Sequence, residues 1–329
     1  MSNRVKQWQN IQNMYHEANF LQSPEWKKMN DLIGHKTIIE TFGDDGWCLM
    51  IIKNAKRGRY LEIPGGPLIN WQDEAKVQKV FAKIREIAGR EKCVFVRVRP
   101  QLIKDAQNLT LLKELGMRIA PMHLHAEHTV IIDLDKSEDQ LLANMRRQTR
   151  YEVRRAGKLG MKVEWGDSES LYKEFHAVQA ETAARQNFIP PDINTLLAER
   201  EAFGKNARIY VTEDSAGRKV AYGLILRSGN EAEYFEAAST ELNHKLPGAY
   251  ALQWQVIRDL KALGIKKYNL WGIAPPGEKN HRYAGVTTFK TGFGGKIVEF
   301  VPAHDIIINR SRYMIDLVIE TARKKKRHL

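Results

Sequence analysis

Apolar positions along this chain switch between a period of two and a period near 3.6, and the switches set out a repeated order of elements. Trp47–Lys53 (WCLMIIK) and Tyr60–Ile63 read as strands, followed by the turn-forming Pro64-Gly65-Gly66-Pro67. Over Asp73–Gly89 the residues Val77, Val80, Phe81, Ile84 and Ile87 fall at helical spacing. Cys93–Val98 reads as a strand ended by Pro100, and a helix over Asp105–Leu115 stops at Gly116, a typical left-handed terminus. The later half repeats this order. Arg208–Thr212, Val220–Leu226 and Ala232–Ala237 read as a meander, and Tyr250–Leu263 as a helix closed by Gly264. Lys267–Trp271 reads as a strand, Gly285–Thr291 as a short helix before Gly292, and Lys296–Val301 as a last strand. Residue identity between the halves is weak, so the repeat is one of architecture.

Between the halves, Ser137–Gly160 predicts a basic helical stretch. Ser137 with Gln140 fits a capping box, Glu138 and Asp139 suit a positive helix end, and Leu141, Leu142 and Met145 suit a core. Arg146, Arg147, Arg150, Arg154, Arg155 and Lys158 then follow with one acid, Glu152. Arg146, Arg150, Arg154 and Lys158 fall at i, i+4 spacing, where like charges repel by roughly a few tenths of a kcal/mol per pair. Such a stripe implies an anionic partner, and arginine's planar fork suits the phosphates of an RNA backbone. The stripe carries no base specificity, because phosphate contacts carry none. The last segment, Asn309–Thr321, is amphipathic through Tyr313, Met314, Leu317 and Val318, and runs into Arg323-Lys324-Lys325-Lys326-Arg327.

Composition narrows the class. With 329 residues, 43% hydrophobic and 28% charged, the chain can bury a substantial core and shows no bias toward disorder. No apolar run approaches the roughly 20 residues of a membrane span, and the first residues lack the apolar core of a secretory signal. Cys48 and Cys93 stand far apart with no CxxC pair, against a zinc site or disulfide framework. A cytoplasmic protein is therefore expected. A net charge of +13 attracts polyanions, whether nucleic acid, anionic lipid headgroups or phosphorylated substrates.

Meander, helix, strand, helix, strand is the order of the GNAT acyltransferase core. The expected fold is thus α+β with two tandem GNAT-like domains, and no low-complexity linker parts them. In GNAT enzymes the turn before the helix after the fourth strand offers backbone N–H groups to acyl-CoA, in a Q/R-x-x-G-x-G/A pattern. Here Asn243-His244-Lys245-Leu246-Pro247-Gly248-Ala249 keeps Gly248 but not the full pattern, and Pro247 removes a donor, which disfavours acyl-CoA. No Ser-His-Asp or Cys-His grouping and no G-x-S-x-G elbow stands out. His123, His125 and His128 alternate along an expected strand, Pro121–Ile132, as surface or satisfied histidines. Attack of an amine on an activated ester needs no covalent intermediate, only orientation, a neutral amine and oxyanion stabilisation.

Six motifs in chain order resemble the FemABX family. They are Phe20-Leu21-Gln22-Ser23 followed by Trp26, and Tyr60-Leu61-Glu62-Ile63-Pro64-Gly65-Gly66-Pro67. Next come Arg150-Tyr151-Glu152-Val153-Arg154-Arg155-Ala156-Gly157-Lys158 and Glu181-Thr182-Ala183-Ala184-Arg185-Gln186-Asn187-Phe188. The last two are Tyr268-Asn269-Leu270-Trp271-Gly272-Ile273 and Thr288-Phe289-Lys290-Thr291-Gly292-Phe293-Gly294-Gly295. The resemblance implies transfer of an amino acid, commonly Gly, Ala or Ser, from aminoacyl-tRNA to an amine of a muropeptide stem, without a cofactor or metal. It implies that Lys290 holds the ester and stabilises its oxyanion, that Phe289 shapes the same pocket, and that the aminoacyl end enters near Trp271-Gly272-Ile273. It also gives Lys28 and Trp26 as substrate-binding residues, with Lys28 in a region contacting the precursor's diphosphate. Domain 1 is then 1–145 with 302–329, the C-terminal helix returning to it, and domain 2 is 146–301.

Two departures bear on the acceptor. Pro190-Pro191-Asp192 and Thr195 stand where characterised relatives place a precursor-binding arginine and tyrosine. Glu236-Ala237-Ala238-Ser239 stands where many carry an aromatic before GAS. The acceptor is then bound by other groups or is another amine. The long coiled-coil insertion of some members is lacking, which leaves tRNA contact to Arg146–Lys158 or the Arg323–Arg327 run. No protein base is evident, so proton removal falls to substrate groups or water. Were the precursor lipid-linked, the basic tail would add about 1 kcal/mol of membrane attraction per cation. Two rival readings are a GNAT-type acyl-CoA transferase acting on a sugar, peptide or polyamine, and a non-catalytic RNA- or membrane-surface-binding protein.

Overall fold

The computed structural model describes residues 3–186, 188–278 and 281–327; Asn187, within the Glu181–Phe188 motif, lies outside the described residues, as do the side chains of Asn3, Lys325, Lys326 and Arg327. The chain divides into two compact units, Met1–Glu127 with Glu299–Leu329, and His128–Val298.

The first unit opens with α1 (Asn3–Met14), α2 (Pro24–Leu32), β1 (Lys36–Thr41), β2 (Trp47–Ala55), β3 (Gly58–Pro64), α3 (Glu74–Arg90), β4 (Cys93–Arg99), α4 (Ala106–Glu114) and β5 (Arg118–Ile119). The second unit follows with β6 (His128–Asp133), α5 (Glu138–Asn144), α6 (Arg147–Lys158), β7 (Lys162–Gly166), α7 (Glu169–Gln186), α8 (Ile193–Phe203), β8 (Ala207–Glu213), β9 (Lys219–Ser228) and β10 (Glu231–Ser239). It is completed by α9 (Gly248–Ala262), β11 (Lys267–Gly272), α10 (Ala284–Thr291) and β12 (Lys296–Glu299). The chain then returns to the first unit as β13 (His304–Ile307) and α11 (Arg310–Arg327).

In the first unit the sheet order is β1-β2-β3-β4-β13-β5, with β3 and β4 parallel and the other pairs antiparallel. All of β4 is buried because both of its faces are covered, which explains its unbroken apolar run. Val96 and Val98 pack with Val80, Phe81, Ile84 and Ile87 of α3, while Val94 and Phe95 pack with Tyr313 of α11. The FLQS and PGGP motifs meet in this unit. Gln22 donates from Nε2 to the carbonyls of Leu49 and Pro64 and accepts from Leu49 N–H, so one buried amide ties the N-terminal turn to β2 and β3. A Cβ on Gly66 would lie 2.5 Å from the Gln22 side chain, so the close approach requires glycine.

In the second unit the order is β12-β6-β11-β10-β9-β8-β7, with β10 and β11 parallel. Successive strand residues face opposite sides. On β9, Tyr222 meets Phe175 and Glu174 of α7, whereas a Cβ on its neighbour Gly223 would meet Leu252 of α9. Helix α9 therefore covers one face, with Leu252, Val256, Ile257 and Leu260 in the core, and α7 covers the other. Each unit has the order expected of a GNAT-like fold, a meander, a helix and a parallel fourth strand.

Four expectations change. The division falls at 127/128 and 298/299 instead of 145/146 and 301/302, because β6 is hydrogen-bonded to β11. The basic stretch is two helices. The capping box at Ser137 is present, but Met145 and Arg146 are extended, and the Arg146 N–H leaves the helical ladder to bond Gly292 O at 2.9 Å. The strand expected over Pro121–Ile132 begins only at His128. The strand expected over Lys296–Val301 stops at Glu299. No helix among the described residues is long and apolar enough to cross a membrane.

Candidate active site

The site begins where the parallel pair in the second unit comes apart. Strands β10 and β11 are paired only at Glu231–Glu233 and Lys267–Asn269. Beyond that a bulge at Phe235 shifts the β10 register, and β11 is irregular between Asn269 and Gly272. Bulges re-aim side chains beside functional sites. Trp271 has φ +61°, rare and strained for an aromatic residue. Asn269 supports that conformation: its Oδ1 accepts from Trp271 N–H at 2.9 Å, and its Nδ2 donates to Glu231 at 2.9 Å. The Phe235 and Trp271 rings meet edge to face at 5.9 Å across the gap.

Helix α10 brings Lys290 to this notch from the α9 side. Phe289 packs against Tyr250 of α9 at 5.1 Å and Phe293 at 5.2 Å, which fixes the helix face and turns Lys290 inward. Lys290 is 8% exposed. Its Nζ donates to Gly272 O at 2.8 Å and lies 5.7 Å from the Tyr234 ring centre. Burial pushes its amine down to about 7, so the ammonium and amine forms coexist near neutral pH. The turn after α10 passes hard against the α5–α6 junction. A Cβ on Gly294, at φ +82°, would stand 2.4 Å from Asn144 O, and one on Gly292 would stand 2.2 Å from Thr149 Oγ1. The glycines of this motif thus set the depth at which Lys290 sits.

The opposite face of the notch is acidic. Glu236, next after the bulge, accepts from Gln179 Nε2 of α7 at 2.7 Å. Glu199 of α8 is buried beside it. Burial raises both carboxyls, Glu236 to about 7, and the charge of Glu236 raises Glu199 further. Glu233 and Glu231 are also raised by burial. The spacing of apolar residues gives no hint of this group, since three of the acids lie along β10 and the fourth comes from α8. Only the replacement of an aromatic by Glu236 signals it in the sequence.

Lys290, Phe289 and Trp271 are therefore brought together. The six cations of the basic stretch are not equivalent. Arg150 Nη1 donates to the carbonyls of Leu142, Ala143 and Met145 at 3.0–3.2 Å, closing the end of α5. Arg146 donates to Thr288 O at 3.0 Å and braces α10, while Arg155 bonds Glu152 and Lys245 O. Arg147, Arg154 and Lys158 are exposed. In the first unit, Trp26 is 7% exposed and stands edge-on to Phe20 at 5.2 Å, while Lys28 on the same helix is exposed. At the start of α9, Ala249 N–H is taken by Asn243 Oδ1 at 3.0 Å and Gly248 N–H by Leu246 O at 2.9 Å. Donors that an acyl-CoA pyrophosphate would use are thus already occupied.

The FemAB family model matches residues 4–213 and 192–321. The lipid II:glycine glycyltransferase of Staphylococcus epidermidis is 21% identical, over 92% of this chain and 93% of its own. The crystal structure of FemX superposes with a TM-score of 0.85 at 17% identity, covering 96% of this chain and 98% of that one. A tandem GNAT protein from the clavulanic acid biosynthesis pathway gives a TM-score of 0.53 at 12% identity, over 83% of both chains. These likenesses establish a tandem GNAT-like fold.

Proposed function

Because the chain belongs to the FemAB family, we propose that it is an aminoacyltransferase that builds interpeptide bridges of peptidoglycan, moving an amino acid from aminoacyl-tRNA to an amine of a precursor stem peptide. The observation that carries this reading is the burial of Lys290 at the parting of β10 and β11. An ester carbonyl lying in the notch meets a donor that strengthens as negative charge develops on its oxygen, and a pre-placed donor acts without reorganisation. Phe289 and Trp271 shape the apolar walls. No cofactor takes part, because the ester is already activated.

Arg147, Arg154 and Lys158 offer phosphate contacts to the tRNA, and Arg146, Arg150 and Arg155 hold the helices that present them. Lys28 offers a cation to the precursor's diphosphate, with Trp26 anchoring α2 in the core of its unit. Whether the precursor is soluble or lipid-linked, the work is done from the cytoplasmic side, with peripheral membrane attachment in the second case. The rival acyl-CoA reading is disfavoured by the occupied donors at the start of α9. The test is incubation with a mixture of labelled aminoacyl-tRNAs and muropeptide precursors, read by mass. One amino-acid residue should be added to the stem peptide, and acyl-CoA should not substitute. Binding of tRNA without any transfer would favour the non-catalytic reading.

A further inference from the structure

Aminolysis leaves one proton unassigned. The acceptor arrives as an ammonium ion, which has no lone pair for attack until a base removes a proton. In the reading above Lys290 acts as an ammonium donor on the ester side, which leaves the base to another group. The face of the notch opposite Lys290 carries a carboxylate at the place where the backbone is re-aimed by the bulge, and beside it Ala237 is exposed.

We propose that Glu236 is the base that takes the proton from the acceptor's ammonium group, held in place by Gln179 and backed by Glu199. This rests on the aminoacyltransferase reading and adds to it a catalytic residue on the acceptor side. Three observations support it. The Gln179 amide fixes the carboxylate by a 2.7 Å hydrogen bond, which leaves its second oxygen to a substrate. The polar groups gathered there exceed what they satisfy among themselves. Gln179 Oε1, Tyr172 OH and Glu199 Oε2 have no hydrogen-bond partner among the described residues, although these residues are 3%, 0% and 2% exposed. The Phe235 and Trp271 rings, which meet edge to face next to Glu236, supply aromatic surface against which a cation can rest.

The groups facing Glu236 are Gln179 and Tyr172 from α7 and Glu199 from α8; Tyr222 of β9 is turned aside to Glu174 at 2.5 Å. Burial and the neighbouring Glu236 charge both raise the Glu199 carboxyl, so Glu199 favours the protonated form beside it and leaves Glu236 as the acceptor. In the reaction the ammonium gives a proton to the Glu236 carboxylate. The freed lone pair forms the C–N bond, the ester C–O bond breaks, and the second amine proton passes to the departing ribose oxygen. The products are the amide, the free hydroxyl and a protonated Glu236, which returns its proton to water.

The test compares wild type with Glu236→Gln, which keeps the shape and the hydrogen bond, on two acceptors. With the alkylammonium stem peptide at pH 7, kcat should fall about 10²–10³-fold. With hydroxylamine, already uncharged at this pH, the loss should be far smaller. The rise of the wild-type rate from acid toward neutral pH should vanish in the variant. Equal losses on both acceptors would mean a structural role and overturn the proposal, as would an unchanged rate and pH profile. A wild-type enzyme that transfers from no charged tRNA would instead overturn the aminoacyltransferase reading beneath it.

Discussion

Lys290 and Glu236 occupy opposite faces of one break in a sheet, and burial moves their proton affinities toward each other, both to about 7. For kcat/KM this predicts a narrow bell centred near neutrality, its acid side set by the carboxyl and its alkaline side by the ammonium. Replacing Lys290 by arginine, which keeps its charge, should remove the alkaline fall. The same shifts affect stability with opposite signs. An amine lowered from 10.5 to about 7 costs stability in full below pH 7, and the cost is relieved as pH rises toward 10.5. A carboxyl raised from 4.5 to about 7 costs nothing below pH 4.5 and its full amount above pH 7. Lys290→Met should therefore raise Tm most below pH 7, and Glu236→Gln only above pH 4.5. Thermal melts across pH 4 to 10, at roughly unit intervals, would check both. Functional groups that lower stability are common at active sites.

Elements that bury one clear stripe were legible from the sequence. The α3 positions Val77, Val80, Phe81, Ile84 and Ile87 are all buried, and the second meander lies where alternation put it. Elements without a stripe were not. In α7 the buried positions include Gln179 and Thr182, and α8 buries Glu199, so polarity hid both helices. The break at Met145-Arg146 was illegible because it is decided by Gly292, 146 positions onward from Arg146, whose carbonyl takes the amide. The six-cation stripe was visible, but its division of labour was not, because arginines that bond carbonyls look the same in sequence as free ones. That division is testable. Arg150→Ala should lower stability by about 1.5–3 kcal/mol, the range for hydrogen bonds to a charged group. Gly294→Ala, forced to φ +82° with a contact of 2.4 Å, should cost about 2 kcal/mol or more and loosen the seat of Lys290. Denaturant melts would measure both.

At the scale of the molecule, a net charge of +13 and a site lined by buried acids divide binding from chemistry. Affinity for tRNA should come from the exposed cations and fall steeply with salt. Removing Arg147, Arg154 and Lys158 together should flatten the log–log salt dependence by about 2, at roughly 0.7 per phosphate contact, without changing Tm. Fluorescence anisotropy between low and physiological salt would read it. Motifs spread from Phe20 to Gly295 were enough to indicate the family, because they fix turns and close approaches as much as chemistry. In the proposed reading, stabilisation of the ester's oxyanion rests on Lys290. The measurement that tests this most directly is the rate of aminoacyl transfer by Lys290→Ala with charged tRNA and stem-peptide acceptor both saturating. A fall in kcat of about 10²–10³-fold is expected for loss of one oxyanion donor; transfer at the wild-type rate would contradict the account.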